Sequence, residues 1–147
     1  MQTQKNEAAA KELYVATVTT KGGRNGHAQS SDNLLRVDLA FPKELGGNGN
    51  ATNPEQLFAA GFAACFGQTL GTLASQRKLS IDQGAIAVTA NVHLLLKEVG
   101  YWLAADLAVS LPGLDPATAE SLVEEAKQWC PYSNSTRGNV ETTYRVI

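Results

Sequence analysis

Two hydrophobic periods alternate along the chain. Leu13–Thr20 is β-branched and aromatic and predicts a strand. Lys21-Gly-Gly-Arg24-Asn-Gly26 predicts a turn, and His27–Ser31 and Leu34–Ala40 predict two more strands. In the second of these, Leu35, Val37 and Leu39 alternate with Arg36 and Asp38, the pattern of a half-buried strand. Phe41–Thr52 is rich in Gly and Asn and predicts a loop. A helix then begins at Asn53, a capping residue followed by Pro54 at the first helical position and Gln56 where a capping box needs it. Its pattern runs to about Lys78, with Phe58, Phe62, Cys65, Thr69 and Leu73 on one face. Ala59, Ala60, Gly61, Ala63, Ala64 and Gly67 make its middle small enough for close packing.

The period then returns to two. Alternation from Ile86 to Leu96 and from Tyr101 to Leu111, around Lys97-Glu-Val-Gly100, predicts a hairpin. Asp115-Pro116 caps a second helix with Ala119, Leu122, Val123, Ala126 and Cys130 on its apolar stripe; Pro131 stops it. Val140–Val146 predicts a last strand. This order is that of an α+β domain over residues 13–147, after a flexible tail over residues 1–12.

Composition narrows the function. The chain has 147 residues and 44% hydrophobic content, enough for a sizeable core. The net charge of −2 and the lack of a basic run argue against nucleic acid. Apolar stretches are short and interrupted, so no membrane insertion is expected. Met1–Lys11 holds no apolar core of signal-peptide length, so the expected setting is a reducing cytoplasm. There a permanent disulfide is disfavoured and a transient, catalytic one becomes the better explanation of two cysteines. The cysteines form no Cys-x-x-Cys, and His27 and His93 lack ligand spacing, so no metal is expected.

Cys65 is the candidate nucleophile and Cys130 its candidate partner. A thiol reacts with peroxide as thiolate and needs a nearby positive charge. Arg24, in its double-glycine turn, is the candidate for that charge, and Glu55 for orienting it. Simpler explanations compete: a cysteine on an apolar helix face packs well as inert core, Arg24 suits a solvated turn, and Glu55 suits the helix dipole. Glu55 and Cys65 stand ten residues apart on one helix, about 15 Å along its axis and roughly 80° apart around it. A site containing both therefore draws Glu55 from a second chain, which favours a dimer.

Several motifs together resemble one family. They are Thr-Thr-Lys-Gly-Gly-Arg24-Asn-Gly, Glu44-Leu-Gly-Gly, Thr52-Asn-Pro-Glu55-Gln-Leu-Phe-Ala-Ala-Gly-Phe-Ala-Ala-Cys65-Phe, Ser110-Leu-Pro-Gly-Leu and Cys130-Pro-Tyr-Ser-Asn. From about Leu13 onward the chain is similar to the organic hydroperoxide resistance proteins, within the family named after osmotically inducible protein C. The resemblance implies an intertwined α+β homodimer, with antiparallel sheets around two main helices and composite sites at the interface. It implies a thiol peroxidase of organic hydroperoxides, alkyl and fatty-acid hydroperoxides among them, without metal or flavin, recycled by a dithiol reductant of the lipoylated-protein kind. It casts Cys65 as peroxidatic, Cys130 as resolving, and Arg24 with Glu55 as the activating pair. Phe58, Phe62, Phe66, Trp129 and Tyr132 are expected around the substrate. The run Gly67-Gln68-Thr69 is more polar than the family's, and Lys97–Leu103 replaces a glycine-rich hairpin, so pocket shape is open. Two other classes compete: a non-catalytic binding domain with an apolar pocket, and a cysteine hydrolase using His27 or His93.

Overall fold

The computed structural model describes residues 10–147. The expected tail lies outside the described residues as far as residue 9, and residues 10–12 are exposed without regular structure. Contacts divide the chain into two units, Met1–Asn53 and Pro54–Ile147, each with its own sheet.

The first unit is built on β1 (Val18–Lys21), β2 (His27–Ser30) and β3 (Arg36–Asp38), joined antiparallel in chain order. Strand β1 starts later than the sequence predicts. Leu13, Tyr14 and Val15 are 85%, 77% and 60% exposed, with propensity for a strand but no partner strand within the unit. The turn after β1 depends on glycine. Gly22 and Gly23 take φ of 78° and 57°, and a Cβ on Gly26 would sit 1.6 Å from the Lys21 carbonyl oxygen. The loop after β3 contains a short 3-10 turn, Lys43–Leu45.

The second unit packs helices on one face of a sheet. Helix α1 (Pro54–Gln76) starts where the Asn-Pro signal predicts. Its end is a Schellman turn: Leu79 N–H bonds the Ala74 carbonyl, Lys78 N–H bonds the Ser75 carbonyl, and Lys78 sits at φ 55°. Strands β4 (Ala87–Lys97) and β5 (Gly100–Ser110) form the predicted hairpin. Asp115 caps α2 (Pro116–Trp129) by accepting the Thr118 N–H, and the Thr118 hydroxyl, foremost, together with that N–H holds its carboxyl below the ordinary value. Pro131 does more than stop α2. It opens a further helix, α3 (Pro131–Thr136), too short and polar to show a period. Strand β6 (Glu141–Val146) pairs parallel with β5, so this sheet is mixed, whereas every other strand pairing is antiparallel as expected.

Alternation fixes the two faces of this sheet. Val88, Ala90 and Val92 of β4, with Ala105, Leu107 and Val109 of β5, face the helices. They meet Phe62, Phe66, Leu70, Leu73 and Ala74 of α1 and Leu122, Val123 and Ala126 of α2. The far face carries Asn91 and His93, both hydrogen-bonded to Asp106, which together hold that carboxyl low, His93 foremost.

One helix bears on the membrane expectation. Helix α1 has 23 residues and a window of mean hydropathy 1.4, long and apolar enough to cross a membrane by length and composition. The alanines, phenylalanines and leucines of α1 keep the mean high despite Gln68, Thr69 and Thr72. Here α1 serves as a core helix, with Phe62, Phe66 and Leu70 fully buried against the sheet and α2.

Phe66 is the test of this core. Replacing it by Ala removes a ring that has no exposed surface and stacks on Tyr144 with ring centroids 5.1 Å apart. We expect Phe66→Ala to cost about 3–5 kcal/mol of unfolding free energy in urea titration. A loss below about 1 kcal/mol would mean that α1 does not anchor the core.

Candidate active site

Two elements of the second unit bring the cysteines together. Cys65 lies at the midpoint of α1, and Cys130 at the joint between α2 and α3. They are free thiols, and Cys130 is near enough to Cys65 to act on its ionisation. Cys130 is fully buried, Cys65 only partly.

The approach of α3 to α1 rests on Gly61. A Cβ there would lie 2.3 Å from the Tyr132 hydroxyl oxygen, so a side chain would push the ring away. Tyr132 also packs against Phe58 and Phe62, with centroids 6.0 and 5.7 Å apart. Its backbone N–H reaches the Cys65 sulfur. From below, α3 is tied to β6 by the 2.7 Å hydrogen bond between the Ser133 and Tyr144 hydroxyls. Burial pushes the Tyr144 phenol up, so it remains a neutral hydrogen-bonding group.

The electrostatics of Cys65 run against reactivity. Burial pushes its thiol up from the ordinary value. The Tyr132 N–H opposes that rise by hydrogen-bonding the thiolate, and Cys130 adds to it through its charge and its hydrogen bond. A thiolate here needs a further cation.

The other expected residues divide among several places. Arg24 is half-buried in the 3-10 turn Gly23–Asn25 of the first unit. Glu55 is half-buried in the first turn of α1, and α1 runs unbroken from it to Cys65. Phe62 and Phe66 are fully buried and fill the core, so they offer no surface to a ligand; Phe58 is half-buried beside Tyr132. Trp129 is 68% exposed. It lines a cavity of ≈ 240 Å³ with Gln68, Thr69, Thr72, Leu73 and Gln76 of α1. No pattern in the sequence pointed to this cavity, although Gln68, Thr72 and Gln76 follow one another at steps of four. His93 bonds Asp106 on the sheet face turned from the helices, and His27 bonds Asp38 at 2.9 Å in the first unit. Each imidazole thus has a carboxylate partner, and His93 lies across the sheet from Cys65.

The geometry meets its relatives at this point. A profile of the OsmC-like proteins matches residues 47–145. The chain belongs to the OsmC-like family. The organic hydroperoxide resistance protein of Xanthomonas axonopodis pv. citri is 46% identical to it, over 90% of this chain and 94% of its own length. The protein OhrA of Bacillus subtilis is 43% identical, over 91% and 96%. Among solved structures, an organic hydroperoxide resistance protein of Legionella pneumophila superposes with a TM-score of 0.88 at 46% identity. That match covers 92% of this chain and 98% of the other. The same family structure from Bacillus subtilis, OhrB, gives 0.83 at 39% identity, covering 92% and 100%. This OsmC-like protein therefore has the expected α+β fold of the organic hydroperoxide resistance branch.

Gly61 controls the site in two ways, by spacing and by charge. Gly61→Ala should destabilise the protein by about 1–3 kcal/mol through overpacking. It should also raise the Cys65 pKa further, because the Tyr132 N–H moves off the sulfur. Iodoacetamide alkylation rates across pH, beside urea melts, measure both. An unchanged pKa would show that the Tyr132 backbone does not serve the thiolate.

Proposed function

We propose that this protein is a cysteine-based peroxidase that reduces organic hydroperoxides to alcohols. The observation that carries the reading is the pairing of a partly exposed thiol, Cys65, with a fully buried one, Cys130, near enough to act on its ionisation. The names of the relatives supply the substrate class.

The chemistry balances with these two groups. The Cys65 thiolate attacks the outer oxygen of RO–OH; the O–O bond breaks, RO⁻ takes a proton and leaves as alcohol, and Cys65 becomes a sulfenic acid. The Cys130 thiol then attacks that sulfur, expelling water and forming the Cys65–Cys130 disulfide. Two thiols of an external reductant, a lipoylated protein in this proposal, restore both cysteines by exchange. The two thiols and the external dithiol balance the cycle, so the proposal includes neither metal nor flavin. The setting proposed is the cytoplasm, where the disulfide is kept transient.

Arg24 and Glu55 complete the proposal. Because burial raises Cys65, a guanidinium is needed to hold the thiolate and to donate to the peroxide oxygen. Glu55 orients that guanidinium. On an unbroken α1 its ten-residue offset from Cys65 is about 15 Å of rise, which favours a homodimer whose sites take Glu55 from the partner chain.

The cysteine roles separate in one turnover. Cys65→Ser should consume no hydroperoxide. Cys130→Ser should react once, halt at sulfenic acid and then over-oxidise, as mass spectrometry after one equivalent will show. The wild type should favour an alkyl hydroperoxide over hydrogen peroxide, because each buried methylene contributes about 0.8 kcal/mol. A Cys130→Ser protein inert in its first turnover would reverse the roles, and equal rates for both oxidants would remove the preference for organic substrates.

The activating pair makes a pH prediction. Cys65 reacts as thiolate, so its oxidation rate rises with pH and levels off above its pKa. Removing the cation raises that pKa; the stopped-flow rate of Arg24→Ala should therefore level off at higher pH than that of the wild type, and lie orders of magnitude lower at neutral pH. Glu55→Ala should behave likewise but more mildly. Verified heterodimers of Glu55→Ala and Cys65→Ser chains should regain activity at their one intact site. Wild-type pH profiles, or heterodimers without recovery, would separately refute the cation and the shared site.

A further inference from the structure

Resting on the peroxidase reading, we propose that Tyr144 is the positioning residue of the resolving step: its hydroxyl, bonded to Ser133, holds α3 so that the Cys130 thiol faces the oxidised Cys65. Cys130 is a joint as well as a thiol. Its N–H bonds the Ala126 carbonyl and ends α2, while its carbonyl accepts the Asn134 N–H and begins α3. The direction of its sulfur therefore follows the set of α3 against the rest of the unit. Ser133 lies on α3, three residues and about 4.5 Å of rise beyond Cys130. It is 3% exposed, and its hydroxyl meets that of Tyr144 at 2.7 Å.

Tyr144 is a firm anchor. Its strand is paired to β5 along its whole length, and its ring packs on Phe66 and Phe62 with centroids 5.1 and 6.4 Å apart. The Lys127 ammonium lies over the same ring, 4.8 Å from its centroid. Burial foremost pushes the phenol up, and the charge of an ionised Cys130 adds to that rise. The hydroxyl thus stays neutral, and its bond to Ser133 persists, while Cys130 ionises to attack. Packing alone does not ask for this hydroxyl. A Phe would fill the same place against Phe62 and Phe66 with no polar group to desolvate. Two hydroxyls that satisfy each other among aromatic rings fix an orientation that apolar contact leaves free. Asn134 Nδ2 donates to the Gln128 carbonyl at 3.2 Å and Arg137 donates to the Lys127 carbonyl, but these exposed bonds fasten α3 to α2 rather than to the sheet.

In the resolving step the Cys130 sulfur attacks the Cys65 sulfur, the S–O bond of the sulfenic acid breaks, and hydroxide leaves with the Cys130 proton as water. A second hydroperoxide competes by oxidising the sulfenic acid to sulfinic acid, which thiol exchange does not reverse. Alignment of the two sulfurs decides that race.

Tyr144→Phe keeps the ring and removes the hydroxyl. In single-turnover stopped flow with one equivalent of octyl hydroperoxide, it should keep the wild-type rate of Cys65 oxidation. Disulfide formation should slow by about two- to tenfold, the span of one neutral hydrogen bond. With excess hydroperoxide, mass spectrometry should then show more sulfinic acid than in the wild type. The double variant Tyr144→Phe/Ser133→Ala separates positioning from stability. It removes both polar groups, so its urea midpoint should return toward the wild-type value while disulfide formation stays slow. Recovery of that rate in the double variant, equal slowing of both steps, or wild-type resolution in Tyr144→Phe would overturn the proposal. A peroxide-free measurement keeps it apart from the peroxidase reading. In glutathione redox buffers, the dithiol-to-disulfide equilibrium constant of both variants should fall by a similar factor; a constant equal to or above that of the wild type counts against Tyr144. If the wild type consumes no hydroperoxide and the variants still show that fall, the peroxidase reading fails and the tie stands as what aligns Cys130 with Cys65.

Discussion

Everything at the dithiol depends on how closely α3 lies against α1. A single missing Cβ, that of Gly61, lets the Tyr132 ring settle on the helix. The Tyr132 N–H then lies on the Cys65 sulfur, and Cys130, the residue before α3, comes within reach of it. The small residues around Gly61 are therefore more than a packing convenience. They set a helix-to-helix distance that side chains of ordinary size forbid, and the two thiols inherit their spacing from it.

That closeness has a chemical cost. Holding two sulfurs in a largely apolar joint favours the bond between them once one is oxidised. It also disfavours the charged form that begins the proposed reaction, because burial and the neighbouring thiol both work against a thiolate. One backbone N–H offsets part of this. The rest of the demand falls on a cation, and so the proposed role of Arg24 follows from a physical deficit at Cys65 as well as from its motif.

Much of this was legible in the chain. The Asn-Pro and Asp-Pro signals located α1 and α2, and strict alternation located the hairpin, since capping and period are local properties. Three things were not local. Helix α3 is too short to show a period. The parallel pairing of β6 depends on which edge of β5 is open, which no sequence pattern around Val140–Val146 encodes. Phe62 and Phe66 read equally well as pocket or core, because both environments ask for the same side chains; their complete burial decides for core. The polar line Gln68, Thr72 and Gln76 was visible, but only the position of Trp129 turns it into the wall of a cavity.

The parallel strand has a consequence in the order of assembly. Cys130 and α3 belong to the connection between β5 and β6, and Tyr144, which ties α3 down through Ser133, lies in β6 itself. On a ribosome, Cys65 thus emerges and can fold into α1 long before its partner is held in place. The proposed redox pair is completed only once β6 has formed, so a chain that lacks β6 keeps the proposed nucleophile but loses the tie that anchors its partner.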